Sequence, residues 1–417
     1  MPFEYSYAVT DFNQSKESIL FFINQYKKAV FFDNNNHTKH PYHALECLAA
    51  CSNSNDIFPI NWADSHPDFY ICHIDYNYKN KTLGLHSILE DVHNFPTALL
   101  WKPCIIFRFE NNVWTIISNA PLDINELFEP TKKIEVIDNQ ELQWIASETK
   151  EEYCNTVNQL KNHIVQGDVY EINYCINQHI AAIKINPVAT FLALTTKSEA
   201  PFSVFYKLDD AFVLCASPER FLTKQHTQLA AQPIKGTHKR DTICDETDMY
   251  YKLNLSSSVK ERAEHIMIVD LMRNDLSRCC NVGTVRVDEL MEVYTFKTVH
   301  QLISTISGAV RDNIGFDSII EATFPMGSMT GAPKKMACQL ISKYEKSNRG
   351  IYSGSIGYIT PEGDFDLNVV IRSLVYNDTS SYLSLHTGGA ITHLCEATQE
   401  WDECLLKANA IKDCVRL

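Results

Sequence analysis

No apolar run in this chain of 417 residues approaches the roughly 20 residues that a helix needs to cross a bilayer, so we expect no membrane-spanning helix. Met1 to Tyr5 lack a basic stretch followed by an apolar one, so we expect no signal peptide. Basic residues are scarce, because 37 Lys and Arg stand against 51 Asp and Glu, for a formal charge of −14. Such a charge argues against nucleic-acid binding, since phosphates require a basic surface.

Paired cysteine motifs are missing too, although the chain has 14 cysteines. Cys47 and Cys51 lie four positions apart and Cys279 and Cys280 are adjacent, and neither pattern makes a zinc site with a second pair. In a chain without a signal peptide, these residues are expected to be reduced and mostly buried thiols. We therefore predict a cytoplasmic protein.

The remaining composition, 45% hydrophobic and 21% charged, is that of a globular protein with ample core, and no internal repeat is present. Residues 1–140 mix short apolar runs with turn-forming residues and are interpreted as a β-rich N-terminal region. Residues 141–417 combine strands with long helices and are interpreted as the catalytic region. Strands interrupted by long helices indicate an α+β fold with large antiparallel sheets. We treat the boundary as lying within one interlocked fold.

Local patterns predict individual elements in the second region. Apolar spacing predicts a helix from near Glu151 that stops at Gly167, a helix over 259–273, and a final helix from about Thr398. Residues 202–206 and 211–216 indicate a hairpin. Further strands are predicted over 352–359, 365–376 and 382–386, and a helix start at 331–334.

Lys235, in Pro233-Ile234-Lys235-Gly236-Thr237, is a candidate nucleophile. A free lysine amine titrates near pH ~10.4, so about one in 10³ is neutral at pH 7. Burial or a neighbouring cation can lower that pKa and make the amine a covalent catalyst. Taken alone, lysine beside glycine is more often a solvated turn.

Two pairs of glutamates are candidate metal ligands. Glu261 and Glu264 are spaced i, i+3, so they share a helix face, and Glu400 and Glu403 repeat the spacing near the start of the last helix. Read without further context, such pairs are more often solvated residues that favour the helix dipole.

Five ordered segments favour the catalytic and metal-binding roles of these residues over the solvated ones. They are 217–221 (SPERF), 233–237 (PIKGT), 265–276 (HIMIVDLMRNDL), 324–334 (FPMGSMTGAPK) and 352–358 (YSGSIGY). Their order and spacing resemble the chorismate-utilising enzymes from about residue 150 to the C-terminus. The resemblance implies two packed antiparallel sheets flanked by helices around one deep site. Lysine in the second segment is typical of the members that aminate chorismate at C4, as aminodeoxychorismate synthases do for p-aminobenzoate and folate.

The resemblance implies a magnesium site made of the four glutamates. Glu264 and Glu403 would be the inner ligands, and Glu261 and Glu400 would hold bound water or outer contacts. The ion would bind the ring carboxylate of chorismate and make neighbouring carbons more electrophilic.

The resemblance also implies the substrate contacts. Arg372 would bind the pyruvyl-ether carboxylate by its planar fork. Gly388 and Gly389 match a glycine-rich turn whose amides approach a carboxylate, although Ala390 replaces a third glycine. Thr330 and Tyr352 match hydrogen-bonding positions. Gly236 and Thr237 are assigned to substrate binding with the lysine motif.

Catalysis by this resemblance would use Lys235 as nucleophile, with Glu219 and His300 assisting departure of the C4 hydroxyl. Burial could tune the pKa of Glu219 toward neutrality, and the alternative for this residue is a salt bridge to Arg220. A histidine in an apolar run such as that of His300 is more often a core residue.

Three alternatives stay open. Anthranilate synthases are similar but carry alanine at the position of Lys235. Isochorismate and salicylate synthases use a lysine base where this chain has Glu171, and the aminodeoxychorismate synthases often carry glutamine there. A non-catalytic chorismate-binding subunit is the third. The chain has no Gly-x-Cys-x-Gly segment, so ammonia is expected from a separate glutamine amidotransferase subunit.

Overall fold

The computed structural model describes residues 2–37, 42, 45–86, 89–129, 142–297 and 299–417. The interpreted boundary at residues 140 and 141 falls outside them. No helix in these ranges is long and apolar enough to cross a membrane.

Strands supply most of the architecture. They are β1 (Phe3–Ala8), β2 (Lys28–Asp33), β3 (Cys47–Ser52), β4 (Tyr70–Ile74), β5 (Ala98–Trp101), β6 (Ile105–Glu110), β7 (Val113–Ser118), β8 (Ile145–Ala146), β9 (Glu171–Ile180), β10 (Phe202–Leu208), β11 (Ala211–Ser217), β12 (Arg220–Gln225), β13 (Gln228–Gln232), β14 (Ile234–Lys239), β15 (Arg286–Thr295), β16 (Val299–Ala309), β17 (Gly331–Ala332), β18 (Ser355–Ile359), β19 (Phe365–Asn368), β20 (Ser373–Asn377) and β21 (Tyr382–Ile391).

Helices flank the strands. They are α1 (Phe12–Asn24), α2 (Lys79–Leu83), α3 (Ile124–Leu127), α4 (Lys150–Gln166), α5 (Pro187–Ser198), α6 (Asp245–Ser257), α7 (Val259–Ser277), α8 (Phe316–Thr323), α9 (Lys334–Tyr344) and α10 (Ala397–Lys412), with short 3₁₀ turns at Ile60–Asp64, Tyr76–Tyr78 and Gly327–Met329.

The strands form two antiparallel sheets. The larger, of 12 strands among the described residues, runs β1-β7-β6-β3-β2-β10-β11-β20-β21-β9-β17, with β8 also on β9. The smaller, of nine, runs β14-β16-β13-β12-β19-β18-β4-β5, with β15 also on β16. Early strands enter both sheets, because β2 pairs with β10 and β4 pairs with β18. The predicted α+β class with two large antiparallel sheets flanked by helices is confirmed.

Apolar side chains from both sheets meet between them. Val30 and Val204 of the larger sheet belong to one buried cluster with Ile71 and Ile356 of the smaller sheet. All four are fully buried, and each such side chain stabilises the fold by about 1.5–3 kcal/mol relative to leaving it exposed. The packed interior holds the two sheets together and so sets the relative positions of residues that come from different sheets.

Several predicted elements are confirmed with adjusted bounds. Helix α4 begins with a capping box between Thr149 and Glu152 and ends at Gly167, whose φ is +83°. The hairpin β10–β11 is present, and α7 extends to Ser277. The predicted helix start at 331–334 is wrong in detail, because Gly331 and Ala332 form β17 and the helix begins at Lys334.

The predicted strand over 365–376 is two strands in different sheets. Strand β19 pairs with β12 and β18, whereas β20 pairs with β11 and β21. The chain crosses between the sheets in the segment that precedes Ser373, where Arg372 has a φ of +52°. Val369, Val370 and Ile371 join the two strands without a turn-forming residue, and both strands are largely buried, so the sequence does not mark this crossing.

Candidate active site

Lys235 lies on β14, at an edge of the smaller sheet. Its strand pairs with β16, and the register shifts between Ile234 and Thr237, where Gly236 has a φ of +89°. His265 of α7 donates from Nδ1 to the Lys235 carbonyl at 2.9 Å, and its Nε2 lies 2.7 Å from Ser304 Oγ. Burial lowers the pKa of His265 to about 4, so this ring is neutral and fixes the strand to the helix. The sequence analysis assigned His265 no role.

Lys235 forms an ion pair with Glu171. The ammonium donates to Glu171 Oε1 at 2.5 Å, and the two side chains are 12% and 1% exposed. Burial lowers the pKa of Lys235, but Glu171, Glu264 and Glu219 raise it by more, so the pKa lies above its ordinary value. The predicted role of Lys235 as a nucleophile called for a lowered pKa, and its surroundings raise the pKa instead.

Glu171 is held in place by the two-residue strand β17, which pairs with the start of β9. Ala332 of β17 is its partner in the register, and Gly331 comes so close that a Cβ there would stand 2.1 Å from the Glu171 carbonyl oxygen. The Thr330 carbonyl accepts from the Asn173 amide at 2.8 Å, and the Thr330 hydroxyl donates to the Met326 carbonyl at 3.0 Å. Thr330 is thus fully buried beside the first residues of β9, close to the Lys235 partner.

Glu219 lies between β11 and β12, with 5% of its surface exposed. The Ser217 hydroxyl accepts from the Glu219 amide at 3.1 Å, and the Glu219 carbonyl accepts from Val369 at 3.0 Å. Burial raises the pKa of Glu219 to about 7, against the opposing effects of Ser328 and Lys235. The carboxyl is therefore poised to exchange a proton near neutral pH.

The alternative of a Glu219–Arg220 salt bridge is not what the structure shows. The Arg220 guanidinium forks onto Asp366, at 2.8 Å from each carboxylate oxygen, and donates to Gln232 at 2.6 Å. Glu219 and Arg220 are adjacent in sequence and their side chains go to different partners.

His300 lies in a different network from Lys235 and Glu219. Its Nε2 donates to Asp248 of α6 at 3.0 Å, and its Nδ1 lies 3.0 Å from Thr295 Oγ1. Gln301, the next residue of β16, donates instead to Thr237 Oγ1 at 3.4 Å. Successive side chains of a strand face opposite sides, so a one-residue difference separates the two environments.

The first glutamate pair lies on α7. A Cβ on Gly236 would stand 3.1 Å from Glu261 Oε2, so this carboxylate sits against the lysine motif. Glu264 Oε1 accepts from the Thr392 hydroxyl at 3.3 Å. Burial raises the pKa of Glu264 to about 7, with Lys235 opposing and Glu171 adding to the rise.

The second pair lies on α10, across the site. A Cβ on Gly389 would stand 2.8 Å from Glu400 Oε2, and burial together with Glu403 raises the pKa of Glu400. Burial also raises the pKa of Glu403, but Lys407, at 2.6 Å, outweighs it and leaves this pKa below its ordinary value. Lys407 donates to the Gly388 carbonyl at 2.8 Å as well.

The donor set fits a hard divalent cation in its chemistry. Burial is the main cause of the raised pKa values of Glu264 and Glu400, and repulsion from Glu171 and Glu261 on the first and from Glu403 on the second adds to it. Carboxylate oxygens and water are the ligands that Mg²⁺ prefers. Within the described ranges, however, no three His, Cys, Asp or Glu side chains stand close enough to hold one ion.

The remaining predicted contacts surround Arg372. Its guanidinium has no carboxylate within salt-bridge distance in the described part of the chain, and burial lowers its pKa, opposed by Tyr352 and Glu403. Tyr352 is 4% exposed, and its ring stacks on His386 at a centroid distance of 5.1 Å. A half-buried arginine without an internal carboxylate partner is suited to bind an anion.

Gly388 and Gly389 lie within β21 and not in a turn as predicted. They pair with Cys175 and Tyr174 of β9. A Cβ on Gly388 would stand 2.5 Å from the Tyr174 carbonyl oxygen, so the strands approach more closely than any other residue allows.

These side chains together can bind a dianion and transfer protons. Lys235, Glu219 and Arg372 offer an amine, an acid and an anion-binding fork, and the two pairs of glutamates add carboxylate oxygens to the same site. Such a set suits displacement at an anionic ring compound.

The model of a protein family described as "chorismate binding enzyme" matches residues 6–413 of this chain. The chain therefore belongs to the family of chorismate-binding enzymes. Its fold is that of this class.

Relatives within the family carry more specific names. The chloroplastic aminodeoxychorismate synthase of Arabidopsis thaliana is 37% identical over 71% of this chain and 32% of its own length. Aminodeoxychorismate synthase component 1 of Escherichia coli is 36% identical over 64% of this chain and 58% of its own. Anthranilate synthase component 1 of Aquifex aeolicus is 34% identical, over 66% and 55%. The chain thus spans 32% to 58% of the length of these relatives.

Solved structures share the fold. Anthranilate synthase component I of Streptococcus pneumoniae matches with a TM-score of 0.75 at 21% identity, over 98% of this chain and 92% of that one. The menaquinone-specific isochorismate synthase of Escherichia coli matches with a TM-score of 0.78 at 15% identity, over 99% and 94%. At these identities the likeness concerns the fold alone.

Proposed function

We propose that this chain aminates chorismate at C4, as component 1 of an aminodeoxychorismate synthase. The observation that carries the proposal is that a largely buried amine, Lys235, and a buried acid, Glu219, interact electrostatically within one site, and that the acid has a pKa of about 7. A nucleophile and an acid near neutrality are the two groups that displacement of a ring hydroxyl requires. The relatives named aminodeoxychorismate synthase support the same reaction.

The proposed reaction has two displacements. Lys235 Nζ adds to C2 of chorismate while the C4 hydroxyl leaves as water with a proton from Glu219. Ammonia then adds at C4, and the bond between Nζ and C2 breaks. Two easier steps replace one difficult displacement. The contacts of His300 with Asp248 lead us to give the proton transfer to Glu219 alone.

Substrate orientation falls to residues around this pair. Arg372 would bind the pyruvyl-ether carboxylate, and Glu264 and Glu403, with Glu261 and Glu400 behind them, would hold Mg²⁺. Bound there, Mg²⁺ supplies positive charge for the ring carboxylate and withdraws electrons from neighbouring carbons. Gly388 and Gly389 lie in the ladder between β21 and β9, so they do not form a turn that could present its amides to a carboxylate.

A glutamine amidotransferase subunit is the proposed source of ammonia. The component 1 names of the relatives imply a second subunit for those proteins, without naming its activity. The product would feed p-aminobenzoate and folate synthesis in the cytoplasm.

The test is product identification. Purified chain with chorismate, Mg²⁺ and an ammonium salt should yield 4-amino-4-deoxychorismate, seen by chromatography with mass detection, and no pyruvate. Anthranilate with an equal amount of pyruvate would show the anthranilate synthase reaction instead. No Mg²⁺-dependent loss of chorismate would favour a non-catalytic binding subunit.

A further inference from the structure

Glu171 and Lys235 come from different sheets and meet in one buried contact. Glu171 is the first residue of β9 in the larger sheet, and Lys235 is on β14 in the smaller. Their N–O distance of 2.5 Å is at the short limit of charge-assisted hydrogen bonds. The second oxygen, Glu171 Oε2, is buried and has no hydrogen-bond partner among the described residues. One carboxylate thus presents one oxygen to the amine and keeps the other free.

A charged lysine cannot act as a nucleophile, since its lone pair is bound to a proton. The carboxylates around Lys235 favour the ammonium form, so loss of the proton to water would leave fewer than about one amine in 10³ at pH 7. Transfer of the proton across the existing contact to Glu171 needs no exchange with solvent, so the supply of neutral amine by this route does not depend on pH.

We propose that Glu171 is the proton acceptor that frees the Lys235 amine for attack, an inference that rests on the proposed function. The Nζ–H bond breaks and an O–H bond forms on Glu171, which becomes a neutral acid. The neutral amine forms the Nζ–C2 bond, the C4–O bond breaks, and the hydroxyl takes a proton from Glu219 to leave as water.

The second half of the cycle restores both residues. Ammonia forms the C4–N bond, and the electron pair of the Nζ–C2 bond returns to Lys235, which leaves as a neutral amine. Glu171 gives its proton back to that amine. Glu219 recovers its proton from the new C4 ammonium group. The sum is chorismate plus ammonia giving the amino product and water.

Other titratable groups near the pair have other contacts. Glu219 serves the leaving hydroxyl, Glu264 binds Thr392, and the His265 ring is held by the Lys235 carbonyl and Ser304. On α7, Glu261 stands against the neighbouring Gly236, and on α10, Glu400 interacts electrostatically with Lys235. Glu171 is the carboxylate that the described residues place in hydrogen-bond contact with Nζ.

The test is the pH dependence of adduct formation on Lys235, measured by peptide mass spectrometry after rapid quenching with chorismate and Mg²⁺ and without ammonia. In the wild type at saturating Mg²⁺, which holds Glu264 ionised, the shared proton stays within the pair and Glu219 is at least half protonated, so the rate should be flat within about twofold from about pH 5.5 to 7. In Glu171→Gln the proton must go to solvent, so the rate should fall about tenfold per pH unit toward acid. Glu148→Gln, which removes a buried carboxyl bonded to Tyr174, is the matched control and should stay flat.

A flat profile in Glu171→Gln, with a rate within about twofold of wild type, would overturn the proposal. If Glu171→Gln gives no adduct at any pH, Glu171→Asp decides the matter. Recovery of the adduct with a flat profile supports the acceptor role, and continued absence overturns it. Circular dichroism of each variant confirms that it is folded.

Failure of the proposed function can be distinguished from failure of the proton-acceptor role of Glu171. If the wild type forms no chorismate adduct, the proposed function has failed. Acetylation of Lys235 by p-nitrophenyl acetate then still reports the acceptor role, because it needs no chorismate. A flat acid profile in the wild type and a tenfold change per unit in Glu171→Gln would support it, and identical profiles would overturn it.

Discussion

Gly389 of β21 stands against Glu400 of α10, so closely that a Cβ on the glycine would lie 2.8 Å from Glu400 Oε2. Strand β21, which carries the glycines, therefore packs directly against the glutamate pair of α10. Neighbouring Gly388 has a different reason for its lack of a side chain, because its Cβ would meet the Tyr174 carbonyl at 2.5 Å. A side chain at position 389 would thus meet the end of a movable side chain, whereas one at position 388 would meet fixed backbone.

Gly389→Ala and Gly388→Ala should consequently differ. The first displaces the end of a flexible side chain, so we expect a thermal midpoint within about 2 °C of wild type and a several-fold higher Mg²⁺ concentration for half-maximal activity. The second forces β9 and β21 apart and should cost about 1–3 kcal/mol of unfolding free energy. Thermal unfolding and Mg²⁺ titration of activity check both. Equal Mg²⁺ dependence in Gly389→Ala and wild type would contradict the assignment of Glu400.

Lys235→Ala should abolish amination while leaving the fold intact. Removing the nucleophile leaves only binding and Glu219, so kcat with ammonia should fall by at least about 10³-fold. Lys239→Ala, at the exposed end of the same strand, is the matched control and should keep full activity. The product is measured by chromatography. Full activity of Lys235→Ala with ammonia would remove the covalent mechanism.

Glu219 should set the alkaline limit of the reaction. As an acid with a pKa of about 7 it is protonated below that pH, so kcat at constant free ammonia should decline above pH 7. Glu219→Gln should lower kcat by about 10²–10⁴-fold and lose this decline. A variant that keeps the wild-type pH profile would show that another group supplies the proton.

The same raised pKa affects stability. Between the ordinary pKa of 4.5 and about 7, the native state holds a proton on Glu219 that the unfolded chain has lost. The free energy of unfolding contributed by this group is therefore fully present below pH 4.5 and falls as the pH rises to 7, by up to about 3 kcal/mol. Denaturant unfolding of Glu219→Gln across this window should show a shallower fall than the wild type.

His300 has either a structural role or a role in protonating the leaving group, and substitution distinguishes the two. Its bonds to Asp248 and Thr295 predict that His300→Asn weakens the packing of α6 and lowers the thermal midpoint by a few degrees, with kcat changed by less than about threefold. Asp248→Asn should reproduce the effect on stability. A loss of kcat as large as that of Glu219→Gln would instead restore the role in leaving-group protonation that the family resemblance implied.

The sequence was sufficient for elements whose signals are local. The capping residues of α4 and the apolar spacing of α7 lie within one helix, and both helices are where the sequence predicts them. The crossing of the chain before Ser373 leaves no local signal, because strands β19 and β20 are both largely buried and differ in the strands with which they pair. Periodicity reports the burial of a strand and not the sheet that it joins.

Site geometry depends on the same long-range packing. Glu171 and Lys235 are 64 positions apart and lie in separate sheets, so their contact has no signature in spacing. Glu171 was visible only as a departure from the glutamine common in similar enzymes. His300 and Gln301 differ by one position, and a one-residue difference in strand register exchanges the faces that they present.

Arg372→Lys should weaken chorismate binding more than turnover. The variant keeps the charge, and its long side chain accepts the φ of +52° no less readily than arginine, but it loses the planar fork that grips a carboxylate with two hydrogen bonds. Loss of one charge-assisted bond, worth about 1.5–3 kcal/mol, should raise the KM for chorismate by about 10–100-fold, with kcat altered far less. Arg273→Lys, on the exposed face of α7 in a pair with Asp270, should leave both constants unchanged. Steady-state kinetics at saturating Mg²⁺ and ammonia measure the difference, and an unchanged KM in Arg372→Lys would place the pyruvyl carboxylate elsewhere in the site.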